Sequence, residues 1–376
     1  MGSGKWYSVA YQVFLVHTNV HRETKRRENI MKKTIALILA LAMALTLAAC
    51  GAKTEAPAAA APATEAPAAE APATEAPAAE APAEKFVVGV CQLVPHVALD
   101  AATEGFVTEL KSILGEENVE VIVQNAAGDS AACSSIANDF VNQGVDLIMA
   151  NATPALQAAF AATADIPILG TSVTEYGVAM GIENFDGTVG GNVSGTSDLA
   201  PLDAQAAMVT EWFPEAKTVG LLYCSAEANS QYQVDTVQKY LEEAGLTCTQ
   251  YPFADSNDMA AVTQAACDSS DVIYVPTDNA VASATEIVNS ICQTAGIPVI
   301  AGEEGICKGC GVATLSISYY DLGVKTGKMA AQILTGEADI STMPVAYADT
   351  FTPKYSAAAC EALGITPLDG YEAIAE

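Results

Sequence analysis

One ten-residue pattern occurs twice, about 125 residues apart: Asp146-Leu147-Ile148-Met149-Ala150-Asn151-Ala152-Thr153-Pro154-Ala155 and Asp271-Val272-Ile273-Tyr274-Val275-Pro276-Thr277-Asp278-Asn279-Ala280. In each copy a short apolar run ends in a polar cluster, and a helical pattern follows. Such a run reads as a strand buried on both faces, the kind found in parallel sheets covered by helices. Ligands of open parallel sheets bind beyond the carboxyl ends of the strands. Each copy is followed by a further strand opener, Ile166-Pro167-Ile168-Leu169-Gly170 and Ile297-Pro298-Val299-Ile300-Ala301-Gly302. Two similar halves, each with a polar strand end, predict two lobes facing one cleft.

The rest of the chain fits that frame. Strands are predicted over 86–90, 119–124, 146–151 and 166–170, with helices over 98–114, 130–142 and 154–163 between and after them. Alternation at this spacing means βαβ units. Residues 171–199 are rich in Gly, Asn, Ser, Thr and Asp, and read as a hinge or cleft loop crossing into the second lobe. The alternation resumes with helices over 202–212, 230–243, 259–267 and 281–294. Strands over 218–223, 247–253, the repeated run and 298–301 lie between them. A strand over 311–317 is expected to return to the first lobe, ahead of a helix over 320–334. The chain then crosses once more over 345–351 before a last helix over 356–363. The expected lobes are 86–199 plus 312–345 and 200–311 plus 346–376.

Ahead of the first strand the composition changes. Met31-Lys32-Lys33 and the apolar run from Ile35 to Ala49 have the form of a secretory signal. It ends in Leu47-Ala48-Ala49-Cys50-Gly51, which resembles a bacterial lipobox whose cysteine is lipidated; an uncleaved membrane anchor is the alternative. Residues 1–30 are expected to be an upstream mis-start, with Arg26-Arg27 a ribosome-binding sequence read as codons and Met31 the true start. From Thr54 to Glu84 the chain repeats Glu-Ala-Pro-Ala units, which favour extended, solvated chain and supply no core. Residues 50–85 are therefore read as a tether.

From Cys50 onward there are nine lysines, no arginine and 43 acidic residues, a net charge of −34. Nucleic-acid phosphates need a basic face, so that partner is excluded. Nine cysteines follow Cys50, an odd number at scattered spacing, unlike a disulfide framework. Cys307-Lys308-Gly309-Cys310 has CxxC spacing but no second pair. With His96 the lone histidine after Cys50, local thiols or a local disulfide fit better than zinc. No metal or cofactor is expected.

Several runs resemble the lipoprotein family of ABC-transporter substrate-binding proteins that includes tryptophan and tyrosine binders. They are Gln92-Leu93-Val94-Pro95-His96-Val97-Ala98-Leu99-Asp100, Gln124-Asn125-Ala126, Ala152-Thr153-Pro154-Ala155, Asn192-Val193-Ser194-Gly195-Thr196-Ser197-Asp198, Glu227-Ala228-Asn229-Ser230, Pro276-Thr277-Asp278-Asn279 and Tyr319-Tyr320-Asp321-Leu322-Gly323. They span 86–376 in order. Pro95 stands where the family usually has an acidic residue, and Val173-Thr174-Glu175-Tyr176 replaces its usual Val-Thr-Asp-Pro. The resemblance implies an α/β fold of type I periplasmic-binding architecture: two Rossmann-like lobes with parallel sheets, three hinge crossovers, and a ligand enclosed by closure. It also implies an aromatic or other small amino acid as ligand, an ABC permease as partner, and a monomer held by its lipid on the outer face of the cell membrane.

An amino acid presents a carboxylate and an ammonium. Without arginine no bidentate guanidinium clamp is available, so the carboxylate must be met by helix N-termini and hydroxyls. Thr153, Pro154, Ser172, Val173 and Thr174 stand at suitable strand ends. Asp198 and Asp278 are candidates for the ammonium, and Asn229 and Asn279 suit either group. Asp278, Asn229 and Ser230 also read as helix caps, and Thr153-Pro154 as a helix start. Gln92 and His96 follow the first strand and are placed at the cleft, although His96 also reads as a packed loop residue. Tyr176 and Phe185 are candidates for stacking on a flat ligand, with core packing the stronger reading. An enzyme has little to work with, a Cys91–His96 dyad being the one conceivable pair. A sensor docking on a membrane receptor, or a binder of nucleosides or sugars, remains the alternative function.

Overall fold

The computed structural model describes residues 85–375. The upstream segment, the signal sequence with Cys50 and the tether lie outside them. In the first half β1 (Phe86–Gln92), β2 (Val119–Asn125), β3 (Leu147–Asn151), β4 (Ile168–Val173) and β5 (Val193–Ser197) are joined by α1 (Val97–Leu114), α2 (Ser130–Gln143), α3 (Thr153–Ala162) and a short α4 (Tyr176–Met180). The second half holds α5 (Leu202–Trp212), β6 (Thr218–Cys224), α6 (Ala228–Glu243), β7 (Thr247–Phe253), α7 (Ser256–Cys267) and β8 (Val272–Val275). It continues with α8 (Asn279–Ala282), α9 (Thr285–Ala295), β9 (Val299–Ala301), α10 (Glu304–Cys310) and β10 (Ala313–Ser316). The closing elements are α11 (Tyr319–Leu334), β11 (Ala346–Tyr347), β12 (Thr352–Tyr355), α12 (Ala357–Leu363) and β13 (Glu372–Ala373).

Two sheets result, ordered β11-β5-β4-β3-β1-β2 and β13-β12-β10-β9-β8-β6-β7. The first is parallel throughout. In the second, β12 runs antiparallel to β10. Alternation along each strand sends side chains to opposite faces. Leu147 and Met149 join Val88, Val90 and Phe106 on one side of the first sheet, while Ile148 and Ala150 join Phe140 and Leu156 on the other. In the second sheet Val272 and Tyr274 pack with Leu221, and Ile273 and Val275 with Leu222 and Phe253. Burying each large apolar side chain contributes about 1.5–3 kcal/mol, so each sheet needs helices on both faces.

Three sequence readings change. Residues 171–199 are more than a crossing loop: they complete β4 and supply α4 and β5. Gly195 hides that strand from a propensity reading, because its φ of +146° and the closeness of Gly170 O, 2.0 Å from where a Cβ would stand, admit glycine. The strand expected to return to the first lobe, β10, instead pairs with β9 and β12 in the second sheet. An apolar run specifies burial, not which sheet buries it. The return comes with α11, whose Gly323 lets its backbone approach Ala102 of α1 so closely that a Cβ would stand 2.0 Å from Ala102 O. The first lobe then extends to 347, since Ala346 and Tyr347 pair with Thr196 and Ser197. The helix expected over 281–294 is broken into α8 and α9, with Asp278 capping the first turn through Val281 N. The chain thus crosses between sheets after β5, after β10 and after β11.

Candidate functional site

A narrow cleft with a free volume of about 10 Å³, room for roughly one water, lies between the lobes. The first lobe contributes His96 and Leu99 from the start of α1, Ser172 and Thr174 from the end of β4, and Asp198 just after β5. The second lobe contributes Asn229, then Thr277, Asp278 and Asn279 beyond β8, Ala282, and Glu303 beyond β9. Tyr319 closes the wall where α11 begins. The lobes touch here: His96 Nε2 lies 3.2 Å from Asn279 Oδ1. Among the described residues no lysine or arginine lines the cavity.

Buried polar atoms normally find partners, and several here do not. Ser172 Oγ, Asp198 Oδ1 and Asn229 Oδ1 are buried with no hydrogen-bond partner, as is Thr153 Oγ1 at the start of α3. The backbone at the same places is held in uncommon conformations. Ala152 has φ +92° and Ser172 φ +54°, positions that cost a non-glycine residue about 1–3 kcal/mol. Ala152 offers no side-chain cap, so α3 begins with uncapped backbone and Pro154 in its first turn.

The acidic groups divide by how well they are occupied. Asp198 Oδ2 accepts from Tyr319 Oη at 2.9 Å, leaving Oδ1 open, and burial raises its pKa. Asp278 is saturated instead, with Cys224 N donating to Oδ2 at 2.7 Å and Val281 N to Oδ1 at 3.0 Å. Its pKa too is raised by burial, against those backbone donors. Glu303 caps α10 by accepting from Gly305 N and Ile306 N, and burial pushes it up to about 7. Glu227 stands behind Asn279. It accepts from Asn279 Nδ2 at 2.6 Å, from Ala280 N at 3.0 Å and from Asn229 Nδ2 at 3.2 Å. Burial, then the charge of Asp278, push it up to about 7. Burial lowers the pKa of His96, against the Asn279 contact.

Of the residues chosen from the sequence, His96, Ser172, Thr174, Asp198, Asn229, Asp278 and Asn279 come together around the cavity. Gln92 does not. Its amide donates to Asp100 Oδ1 and Val94 O and accepts from Thr103 Oγ1, tying β1 to α1. Val173 points away from Ser172 and Thr174 into the core, as strand alternation requires. Ser230 is fully buried beside Asn229, and Pro154 lines a separate groove shared with Glu227 and Asn279. Tyr176 is core: it stacks on Phe185 at 6.4 Å and donates to Thr196 O. Thr277, at the polar end of the second repeated run, lines the cavity with Asp278 and Asn279 as that strand end suggests, whereas sequence reasoning passed over Glu227, Glu303 and Tyr319 as site residues. Of these, Tyr319 and Glu227 carried a signal, as members of the resembling runs. The cysteines 307 and 310 are free thiols buried on α10.

Comparison with known proteins gives the same outline. The chain is 37% identical over 267 residues to the tyrosine-binding protein of Clostridioides difficile strain R20291, covering 70% of this chain and 76% of that one. An ABC domain from Streptococcus pneumonia in complex with L-Trp superposes with a TM-score of 0.74 at 31% identity, covering 77% of this chain and all of that one. A ligand-free, open substrate-binding protein with adhesive properties from Clostridium difficile is more similar in sequence, 39% over 77% of this chain and 99% of that one, yet superposes less well, at 0.59. That inversion fits lobes drawn together as the His96–Asn279 contact shows. Residues 87–370 match the family described as ABC transporter substrate binding protein. The chain belongs to that family: it is an extracytoplasmic substrate-binding protein, holding a ligand between two lobes without catalysing its conversion.

Proposed function

We propose that the ligand is a free aromatic amino acid, tryptophan or tyrosine, enclosed by closure of the two lobes and handed to an ABC permease. The observation that carries this reading is the set of buried oxygens without partners, at Ser172, Asp198 and Asn229, around a cavity lined by no lysine or arginine. Asp198 Oδ1 takes the ammonium, where a charged hydrogen bond is worth more than a neutral one. Ser172 and Thr174, the first-lobe hydroxyls that line the cavity, take the carboxylate. Asn229 and Asn279 orient the backbone of the ligand, and Tyr319, Leu99 and Ala282 face its side chain. His96 and Asn279, from opposite lobes, latch the closed form. The bound ligand compensates for the strain at Ser172. The relatives described as tyrosine-binding and as holding L-Trp support the ligand class.

The protein acts as a monomer anchored through lipid on Cys50, at the outer face of the cell membrane, with residues 50–85 as tether. Labelling with a radioactive fatty acid should mark the chain, and Cys50→Ala should abolish the label; a wild-type chain that takes up no label would sink the anchor. For the ligand, mass spectrometry of whatever co-purifies, followed by calorimetric titration with the twenty amino acids, is the test. Binding should raise thermal stability in proportion to ligand concentration. A flat response to every amino acid would end the reading.

A further inference from the structure

All nine cysteines among the described residues are thiols, eight of them buried. Two of the buried ones touch across neighbouring helices. Cys267 is the last residue of α7 and Cys292 lies in the last turn of α9, and their sulfurs are 3.7 Å apart. Both belong to the core on one face of the second sheet, with Ile273, Val275 and Val288.

We propose that Cys267 and Cys292 are a redox-active pair that closes to a disulfide when the exported chain meets a low-molecular-weight disulfide. A disulfide needs its sulfurs about 2.05 Å apart, so from contact distance they must approach by less than the width of an atom. The order of reaction follows from position. Cys267 is 6% exposed against 2% for Cys292, and it ends a helix, where the terminal turn opens most readily. A thiolate on Cys267 accepts the S–H of Cys292, and this contact lowers the Cys267 pKa, against burial and the neighbouring Asp268 carboxylate. The Cys267 thiolate attacks one sulfur of the oxidant, forming a mixed disulfide and expelling the other half as a thiolate. Cys292, losing its proton, attacks the Cys267 sulfur and expels the second half. The protein loses two protons and two electrons, and the oxidant becomes two thiols.

The bridge would enclose the segment 268–291, which carries β8, Thr277, Asp278 and Asn279. Neither sulfur lines the cleft cavity, so oxidation would brace that wall of the site without entering it. Cys91 and Cys133 also face each other, but both are fully buried in the first lobe and serve as an internal control. Cys310 is the competing partner, being close enough to Cys292 for its charge to register there.

The test is to treat the folded full chain with cystamine, block remaining thiols with an alkylating agent, and map the peptides. The expected result is a Cys267–Cys292 peptide pair, with Cys91 and Cys133 unbridged. It should be accompanied by a rise in Tm of about 5 °C that dithiothreitol reverses. Cys267→Ala should abolish both effects, and Cys310→Ala should preserve them. Linkage of Cys292 to Cys310, or a complete set of unbridged thiols after treatment, would overturn the assignment. If an alanine variant does not fold, the wild-type map alone decides. No outcome depends on which amino acid fills the cleft.

Discussion

The strand end at Asn151–Pro154 and the one at Pro276–Asn279 look alike in sequence and are used differently in the fold. After β3 the chain turns through Ala152 at φ +92° and starts α3 with no side-chain cap. Thr153 Oγ1 is left without a partner. After β8 the turn is internally complete: Asp278 caps α8 and holds Cys224 N, and Glu227 receives Asn279 and Ala280. The first strand end keeps strain and an open hydroxyl, and the second has little left to offer. A charged residue at a strand end is therefore no guide to ligand contact; what matters is whether its oxygens are already taken. By that criterion the proposed ammonium contact is Asp198 rather than Asp278.

The sharpest way to break this contrast is Asp198→Asn. It keeps an acceptor for Tyr319 Oη but removes the charge, so affinity for tryptophan or tyrosine should fall about 100-fold, the cost of about 2.7 kcal/mol typical of a buried charge contact. Tm of the ligand-free protein should not fall. Unchanged affinity in titration calorimetry would return the ammonium to Asp278.

The next largest effect is expected from pH. Glu227 and Glu303 both sit at about 7 in the folded chain, above the ordinary carboxylate range near 4.5. Between those values the folded state binds protons that the unfolded chain has lost, so stability falls as pH rises from about 4.5 to 7 and levels off above. His96, whose pKa burial lowers, works the other way, favouring the folded state less as pH falls below its unfolded value. The two carboxyls should outweigh it. Thermal unfolding of the ligand-free protein should give a higher Tm at pH 5.5 than at pH 8. Glu227→Gln with Glu303→Gln should reduce the slope, leaving the same-signed contribution of the buried Asp198 and Asp278, and a Tm that rises with pH would contradict the assignment.

Asp278→Ala should cost about 2 kcal/mol of stability, through loss of a helix cap and an orphaned Cys224 N–H. Denaturant titration measures it, and its effect on affinity should be smaller than that of Asp198→Asn. The mildest change is Ala152→Gly, which relieves a left-handed backbone. It should stabilise the ligand-free protein by about 1 kcal/mol or leave it unchanged. A clear loss of stability would mean that the turn is not strained.

Much of the scaffold was legible. Strands such as 247–253 and helices such as 202–212 follow from apolar periodicity and turn residues alone, because those signals are local. The failures have local causes too. β5 carries Gly195 and small polar residues where a strand reading wants β-branched ones. The strand pattern at 311–317 predicts a strand without saying which sheet takes it. Glu227 and Glu303 escaped because an acidic residue at a helix start reads as a cap or as surface. Their burial exists only once the second lobe is assembled.

The sequence by itself determined that this chain forms two α/β lobes with mostly parallel sheets and polar strand ends, and that any carboxylate held by residues beyond Cys50 must be met without arginine. These are consequences of residue pattern and composition, which no packing can alter. The tertiary structure decided which of the polar groups remain available. It satisfied Asp278 and Gln92 with nearby backbone and side-chain partners, turned Val173 into the core, and left Ser172, Thr153 and one oxygen of Asp198 without a partner. That choice depends on distances between elements far apart in the chain, and a hydrogen bond exists only where the fold has brought donor to acceptor.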